Sequence, residues 1–512
     1  MSQDRRHVIR RECIDLAVEG SESEGFALQG RVAALCQGAL ATALDEAFER
    51  AAPGDEHWQF ERIEVDAGSF TPESFERDFV AAVVAAVEQQ VRVRKEQAVV
   101  RPAVAADEGD VRRTGAQSME AAFFYFLATG ALPWWYKLPE GRTLEALVSE
   151  AWDGHALRET EAHGQGQGGA PSIGLPMRTA LLRVLGSPVA RLRLARQFSR
   201  GFLERVLEQL VPSAPALLRE VVAAVRRAIS IAVPDIIPEH AWAAAFACVA
   251  AQRAITPRHL LEAWAALAPE LVTPAVIESV SGSPAVHGGT ATPAQHGGNT
   301  TVSGRPGMTS NNASNHLDSH RAIEAPPTSS SAITPHGAAA ATRPIDLHEG
   351  VFVDCAGVVL LHPFLPQLFK RLDIAVDDRI VQPDRALALL HFLATGQAQA
   401  PEHALVLPKL LCGLEPSVLA GAPVELSDVE QKEAEGLLQA AIEYWTALGE
   451  TSLDGFRGNF LVRPGKLSKR GDDDLLQVEK QSWDILLGQL PWGIGAVRLP
   501  WMPRMLWVEW PY

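Results

Sequence analysis

Apolar and polar residues follow four different patterns along the chain. Residues 1–97 combine loosely alternating stretches with apolar positions at helical spacing, and residues 115–275 are helical in pattern almost throughout. Residues 276–346 show no periodicity, whereas residues 347–512 mix the two patterns. The sequence therefore predicts a predominantly helical α+β protein. Its parts are a β-α-β-α N-terminal unit, an all-helical middle region, a disordered linker and an α+β C-terminal domain.

The N-terminal unit is predicted from two strand patterns and two helix patterns. Residues 7–19 alternate loosely and favour a strand, and a helix is expected from about Glu22 to Arg50. Residues 57–68, HWQFERIEVDAG, indicate a second strand. Thr71-Pro72 then begins a helix, with Thr as its cap and Pro at its first position. The apolar residues of this helix recur four apart: Phe75, Phe79, Val83, Val87 and Val91.

The string Phe-Leu-Ala-Thr-Gly occurs twice, at 126–130 and at 392–396. In both places an apolar helical run precedes it, and the final Gly suits a helix C-cap. We interpret the two strings as a candidate internal repeat of a helix-turn unit. The first closes a short predicted helix over 119–135. A polar, Gly-rich loop is expected at 157–174, and helices from Met177 to about Val272.

Three arginines of the middle region, Arg193, Arg196 and Arg200, recur on one predicted helix face. Such a face is commonly solvated, because charged residues are mostly exposed. The alternative is that it docks onto an acidic partner. RNA binding is less favoured than either, since aromatic residues for base stacking are sparse in this segment.

Residues 276–346 are dominated by Ser, Thr, Gly, Pro, Asn and Ala and lack aromatic residues. Such a segment cannot bury enough apolar surface to offset its ordering entropy. We predict a disordered linker with a mean end-to-end distance of about 45 Å and an extended length of roughly 220 Å.

The C-terminal domain begins with predicted helices. One runs from Gly357 to Leu372 with a break at His362-Pro363, and others span Arg385–Thr395 and Ala404–Leu411. Ser427 to Glu430 fits a capping box that opens a further helix.

After Asp454 the pattern shifts toward strands. A hairpin is expected around a loop at 470–472, and VRLPWM and MLWVEW are predicted closing strands. Tryptophan is concentrated here, and such a cluster marks a dense core or a contact surface. Four of these residues are candidate interaction residues: Trp492, Trp501, Trp507 and Trp510.

Composition narrows the class of protein. A 47% hydrophobic and 21% charged chain is ordinarily globular, and its 512 residues suggest two to four domains. The net charge of −16 argues against a general nucleic-acid binder. No signal peptide is recognisable, and the longest near-apolar run, 241–251, is far short of the roughly 20 residues that span a bilayer. A cytoplasmic protein without membrane contact is expected.

The five cysteines, at 13, 36, 248, 355 and 412, are widely spaced and odd in number. A disulfide framework or a zinc site is therefore not expected, and the cysteines are predicted to be buried free thiols.

No recognisable catalytic or cofactor-binding motif is present. The stretch 458–466, GNFLVRPGK, fails as a phosphate-binding loop because six residues separate its glycines where four are needed, and Leu467 follows the Lys. His316 and His320 lie in the linker without the glutamate of a zinc protease. We expect no metal, no cofactor and no enzymatic activity.

Two groups in the C-terminal domain remain as candidates for chemistry. Glu402-His403 could form an acid/base pair, although a structural role for the histidine is favoured, as for His362 and His391. The acidic run 472–474 could attract a cation, but solvated acids in a hairpin loop are the simpler account.

Both ends of the chain resemble the tape measure protein family of contractile injection systems, the phage-tail-like machines of bacteria. At the N-terminus the resemblance rests on HVIRRECIDLAVEG, ALQGRVAAL and FERIEVDAGSF. At the C-terminus it rests on GVVLLHPFLP, FLATG, EHALVLPKLLCG, TSLDGFRGNFLVRPGKL, SWDILLGQLPWGIG and PWM followed by VEW. The resemblance implies a structural role in tail assembly, with no catalytic residue to carry over.

On that resemblance the protein helps to set the length of the tail tube. Its implied partners are the inner tube protein, the spike or baseplate hub, and copies of itself. A ruler needs length, yet the chain has no long heptad pattern, and its predicted helices are interrupted by Pro and Gly. An initiating or terminating role is therefore also open. The alternative function is a chaperone-like adaptor that binds another tail component through its C-terminal domain.

Overall fold

A computed structural model describes residues 7–9, 12–18, 21–51, 56–71, 73–100, 111–139, 141–162, 175–229, 237–281 and 345–511. The predicted helical α+β class is confirmed, since helices dominate and the sheets are small. Buried apolar side chains form three separate clusters, which we call the N-terminal, middle and C-terminal cores.

The N-terminal core forms between two helical segments. Helix α1 (Glu22–Leu35) continues through a π-helical turn (Cys36–Leu40) into α2 (Ala41–Ala51), as predicted. Helix α3 (Phe75–Val100) packs against α2 through the residues predicted to be four apart, of which Phe75, Phe79, Val87 and Val91 are buried.

The predicted β-α-β-α order is wrong at its first strand. The described residues among 7–19 form no strand, and Ile9, Leu16 and Val18 are about half exposed, at 48%, 41% and 50%. The second predicted strand is short, because only β1 (Glu56–Gln59) finds a partner. That partner, β2 (Val111–Thr114), follows α3 and pairs antiparallel with β1. A strand needs a neighbour for its backbone groups, and this neighbour was not predicted from the sequence.

Nine helices of the described residues enclose the middle core. Several begin where the sequence predicted: Ser187 and Thr256 cap α7 and α11, and Pro follows at the first position of each. The predicted loop at 157–174 begins too early, since α5 continues to Ala162. The helices are α4 (Gly115–Thr129), α5 (Leu144–Ala162), α6 (Leu175–Val184), α7 (Pro188–Gln197), α8 (Arg200–Leu210), α9 (Ala214–Ile229), α10 (Glu239–Ala250), α11 (Pro257–Ala265) and α12 (Pro274–Ser281).

The helix α12 also shortens the predicted linker. It extends to Ser281, and Val280 is buried in the middle core. At the other end Ile345 and Leu347 are buried in the C-terminal core. The linker set at 276–346 therefore overlaps folded residues at both ends, and its remainder, 282–344, lies outside the described residues.

The C-terminal core is closed on one side by a five-stranded sheet of order β3-β6-β7-β9-β8. The predicted hairpin is confirmed as β6 and β7, and Gly471 at its tip has a φ of 63°, which suits a residue without a Cβ. Strand β9 lies parallel to β7, whereas the other pairs are antiparallel. The strands are β3 (Val351–Val353), β6 (Gly465–Arg470), β7 (Asp473–Val478), β8 (Ala496–Val497) and β9 (Leu506–Glu509). A separate two-stranded ribbon joins β4 (Ala375–Val376) to β5 (Arg379–Ile380).

Helices complete the C-terminal core. The break predicted at His362-Pro363 separates a 3-10 helix (Ala356–Leu361) from α13. The capping box is confirmed, with Ser427 and Glu430 bonded reciprocally at the start of α16. The α-helices are α13 (Leu365–Arg371), α14 (Pro383–Thr395), α15 (Val406–Leu411), α16 (Asp428–Tyr444) and α17 (Leu453–Phe456). Further 3-10 turns are Glu402–Leu405, Thr446–Leu448 and Ser482–Gln489, and a π-helical turn spans Arg457–Leu461.

The cysteines differ in their environment. Cys248, Cys355 and Cys412 are buried free thiols as predicted, and burial raises the pKa of Cys355 to about 12. Cys13, in contrast, is exposed. Among the helices in the described ranges, none combines the length and apolarity that crossing a membrane requires.

Candidate functional site

Helix α7 places two of the three predicted arginines against acidic residues of the same chain. Arg193 is fully buried and pairs with Glu402, and Arg196 is partly buried and pairs with Glu239. The prediction of a solvated helix face is thus wrong for Arg193, because the C-terminal domain covers this side chain. Arg200 is not on α7 at all: it begins α8, remains half exposed and pairs with Glu204.

The Arg193–Glu402 pair joins residues 209 positions apart in sequence. Arg193 Nε and Nη2 donate to the two carboxylate oxygens of Glu402 at 2.9 and 3.3 Å, while Nη1 donates to the Leu127 carbonyl at 2.6 Å. Both side chains have no exposed surface. A bidentate Arg–carboxylate pair fixes orientation as well as distance, so it sets how the two regions meet.

Two further groups satisfy the buried carboxylate. Lys409 Nζ donates to Glu402 Oε1 at 3.0 Å, and the Ala420 backbone N–H donates to the same atom at 3.2 Å. The backbone N–H of Glu402 donates to the Gln197 side chain at 2.9 Å. Burial lowers the pKa of Lys409, and the nearby Glu402 carboxylate opposes that shift. The Glu402 carboxylate is thus the shared partner of two buried cationic side chains, Arg193 and Lys409. We call these three residues the Glu402 junction.

The second arginine of α7 repeats the arrangement. Arg196 Nε and Nη2 donate to Glu239 at 2.8 and 2.9 Å, and its Nη1 donates to the Ala420 carbonyl at 2.8 Å. Glu239 and Glu402 both occupy the first position of a helix, directly after a proline. Both lie in the string Pro-Glu-His-Ala, at 238–241 and 401–404. This repeated string is a sequence signal from which the two partners could have been identified.

Apolar contacts accompany the junction. Ala131, which follows α4, is fully buried in the C-terminal core rather than in the middle core. The ring of His403 packs edge-on against Phe126, with 5.9 Å between ring centroids. The contact between the middle and C-terminal regions therefore combines charge pairing with packing.

The same geometry argues against Glu402-His403 as a catalytic acid/base pair. All donors to Glu402 are structural, and its carboxylate has no exposed surface for a substrate to reach. Burial lowers the pKa of His403 to about 4. The described part of the chain also contains no group of three His, Cys, Asp or Glu side chains that could hold a metal ion.

The four candidate tryptophans mainly fasten the C-terminal tail to the core. Trp492 Nε1 donates to the Leu360 carbonyl at 3.0 Å, and Trp501 Nε1 donates to the Leu411 carbonyl at 2.7 Å. Trp510 is 6% exposed. Trp507 alone of the four reaches 36% exposure, although its Nε1 donates to Asp473 and Arg470 stacks on its ring.

A different set of apolar side chains is more exposed. Trp483 and Ile485, on the 3-10 turn 482–489, are 55% and 76% exposed. Tyr444 is 65% exposed and stacks on Trp492. The turn Thr446–Leu448, just after Tyr444, contacts the turn that carries Trp483. We call Tyr444 and Trp483, together with Ile485 on the same turn as Trp483, the exposed aromatic patch; none of its members was among the predicted interaction residues.

The acidic run 472–474 is not a loop of solvated acids. Asp473 and Asp474 belong to β7, and Asp474 is 2% exposed. Lys469 and Arg504 pair with Asp474 at 2.7 and 3.3 Å. Asp474 therefore stabilises the sheet through its two cationic neighbours, whereas Asp472 lies in the turn and is exposed as predicted.

Comparison with known proteins adds the family. No curated protein and no solved structure matches the chain. The family model described as contractile injection system tape measure protein matches residues 6–510, which is almost the whole sequence. The expected resemblance is confirmed, and the chain belongs to the contractile injection system tape measure protein family.

Proposed function

We propose that this protein acts in assembly of the injection particle by helping to set the length of the tail tube. The observation that supports this most directly is the family match over nearly the entire chain. The inner tube protein and the spike or baseplate hub are the partners we propose, with self-association as a further contact. We propose that the chain is made in the cytoplasm and incorporated there.

The architecture argues against a preformed rod. The longest helix of the described residues, α3, has 26 residues, which at 1.5 Å per residue is about 39 Å. The middle and C-terminal regions are joined by a buried junction and are not arranged as an extended coiled coil. Any length information in the native fold must then come from residues 282–344 or from a change of structure during assembly.

The exposed aromatic patch is the surface we propose for a tail component. Large aromatic side chains dominate interface energetics, and singly exposed apolar residues are ordinary whereas grouped ones indicate a contact. Trp507 and Arg200, among the predicted interaction residues, also remain accessible enough to contribute.

The test is the length distribution of assembled particles by electron microscopy, with residues 282–344 deleted in one variant and doubled in another. These limits spare Val280 and Ile345, which are buried. Particle lengths that scale with the segment would support a ruler in that segment. Unchanged lengths in both variants would move the function to the folded parts, as initiator or terminator.

The composition of purified particles distinguishes the tape measure function from the alternative, a chaperone-like adaptor. A tape measure component remains in purified particles, whereas an adaptor leaves before completion. Quantitative mass spectrometry of purified particles distinguishes the two.

A further inference from the structure

The two Phe-Leu-Ala-Thr-Gly strings form the same corner. In each, Gly adopts a left-handed conformation, with φ of 84° at Gly130 and 72° at Gly396. The Gly N–H donates to the Phe carbonyl at 2.7 Å in both cases. The Thr hydroxyl donates one turn back, at 2.8 Å in both cases. We call these the first corner (126–130) and the second corner (392–396).

Each corner also holds one buried arginine. Arg193 donates to the carbonyl of Leu127, and Arg457 donates to that of Leu393, the same position of the string. A Cβ built on Gly130 would lie 3.0 Å from Arg193 Nη2, and one on Gly396 would lie 3.2 Å from Arg457 Nη1. A guanidinium therefore occupies the space that each glycine leaves open.

The corners differ in what covers them. The C-terminal domain buries the first corner, and Glu402 Oε1 lies 2.8 Å from the Cβ position of Gly130. At the second corner Gly396 and the three residues after it, 397–399, are exposed. A feature that is a covered junction in one copy is thus an open surface in the other.

Arg457 is incompletely paired among the described residues. The side chain is 10% exposed, and its single carboxylate partner is Asp454 at 3.4 Å. Asp454 is 95% exposed, so solvent weakens that pair. Arg457 Nη2 is shielded from solvent and has no hydrogen-bond acceptor in the described structure. A shielded donor without an acceptor is unfavourable. The atom that faces the open corner is Nη1, 3.2 Å from the Cβ position of Gly396, and this atom is where a docking carboxylate would bind.

We propose that the second corner binds a glutamate at the first turn of a helix in a partner protein, as the first corner binds Glu402. The first corner shows which group fits, and the cationic Arg457 supplies the complementary charge. The partner is a different protein, because both Pro-Glu-His-Ala glutamates of this chain, Glu239 and Glu402, are already held by their own arginines. The inference rests on geometry and is independent of the tube-length function.

The test uses a fluorescein-labelled peptide of residues 399–411, the segment that fills the first corner, titrated with the full-length protein. Binding measured by fluorescence anisotropy is expected, and replacing the peptide's glutamate by glutamine should weaken it at least about tenfold. Equal binding of the two peptides would overturn the proposal.

Three protein variants locate the binding. Arg457→Gln should weaken the peptide about tenfold or more, whereas Asp454→Asn should tighten it several-fold by removing a competing carboxylate from an exposed position. Arg258→Gln, which removes an exposed arginine with its own neighbouring carboxylate, is the matched control and should change nothing. If Arg457→Gln does not fold, Asp454→Asn is the deciding variant. An unchanged peptide affinity in Asp454→Asn would contradict the proposal.

Sedimentation velocity over a range of protein concentrations tests the choice of partner. Any self-association of the wild-type chain should be unchanged in Arg457→Gln. Self-association that depends on Arg457 would overturn the assignment to a different protein and make a second copy the occupant.

Discussion

Glu402 accepts hydrogen bonds from α7, from α15 and from a loop, and all of them reach a carboxylate with no exposed surface. A charge in that position is stable only while its partners stay in place. A change at this residue therefore affects Arg193 and Lys409 together.

We predict that Glu402→Gln destabilises the protein by about 3–5 kcal/mol, because two cationic side chains lose their buried anion. Urea unfolding followed by circular dichroism measures the change. Glu415→Gln is the control, since Glu415 is 63% exposed in a surface pair with Arg504 and its loss should cost less than about 1 kcal/mol. A similar midpoint for both variants would show that the junction contributes little to stability.

The lowered pKa of His403 predicts that the free energy of unfolding depends on pH. Burial holds its pKa at about 4, below the 6.5 of a free histidine, although the ring keeps some exposure. Between these values the unfolded chain binds a proton that the folded chain does not, so stability falls as pH falls from 6.5 toward 4. The contribution is on the order of 1–3 kcal/mol.

His403→Phe keeps the ring contact with Phe126 and removes the titration. The slope of unfolding free energy against pH between 6.5 and 4 should therefore decrease in this variant. His348→Gln, at an exposed position, is the control and should leave the slope unchanged. An unaltered slope in His403→Phe would mean that His403 does not titrate in this window.

At the scale of elements, two short turns of the C-terminal core meet almost backbone to backbone. A Cβ on Gly357 would lie 1.7 Å from the Phe460 carbonyl oxygen, so the 3-10 helix and the π-helical turn can only approach because this residue has no side chain. Gly458, in the same π-helical turn, has nothing within 4 Å of its Cβ position.

These two glycines give a matched prediction. Gly357→Ala should destabilise the protein by about 3 kcal/mol or more, because backbone must move. Gly458→Ala should be neutral or stabilising by up to about 1 kcal/mol, since it only restricts the unfolded chain. Thermal unfolding of both variants measures the difference, and equal effects would contradict the close approach.

Local signals allowed many elements to be predicted. Ser187-Pro188, Thr256-Pro257 and the capping box at Ser427 each mark a helix start through bonds to nearby backbone, so a short window of sequence contains the whole cause. The strand expected at 7–19 failed for the opposite reason, because a strand depends on a partner elsewhere in the chain. The predicted solvent exposure of Arg193 failed for the same reason, because its burial depends on Glu402, 209 positions away.

For the whole molecule, the junction predicts that covalent continuity through residues 282–344 is not needed to hold the two sides together. A site-specific protease site placed in this segment should be cleaved without separating the fragments on gel filtration. The buried Arg193–Glu402 pair and the insertion of Ala131 into the C-terminal core support this expectation.

Cleavage of the Glu402→Gln variant supplies the comparison, and its fragments should dissociate at lower urea concentration than those of the wild type. Wild-type fragments that separate at once in buffer would show that the contact is weak without the covalent link.

The same junction has a mechanical consequence. A pull on the two termini would be carried by the Arg193–Glu402 contact in parallel with the 63 residues from 282 to 344. The contact would bear the load for as long as that segment is not fully extended. Rupture would then release up to about 210 Å of contour length in one step. In an optical trap, a single extension of that order before the middle or the C-terminal core unfolds would identify the junction as a latch on stored length.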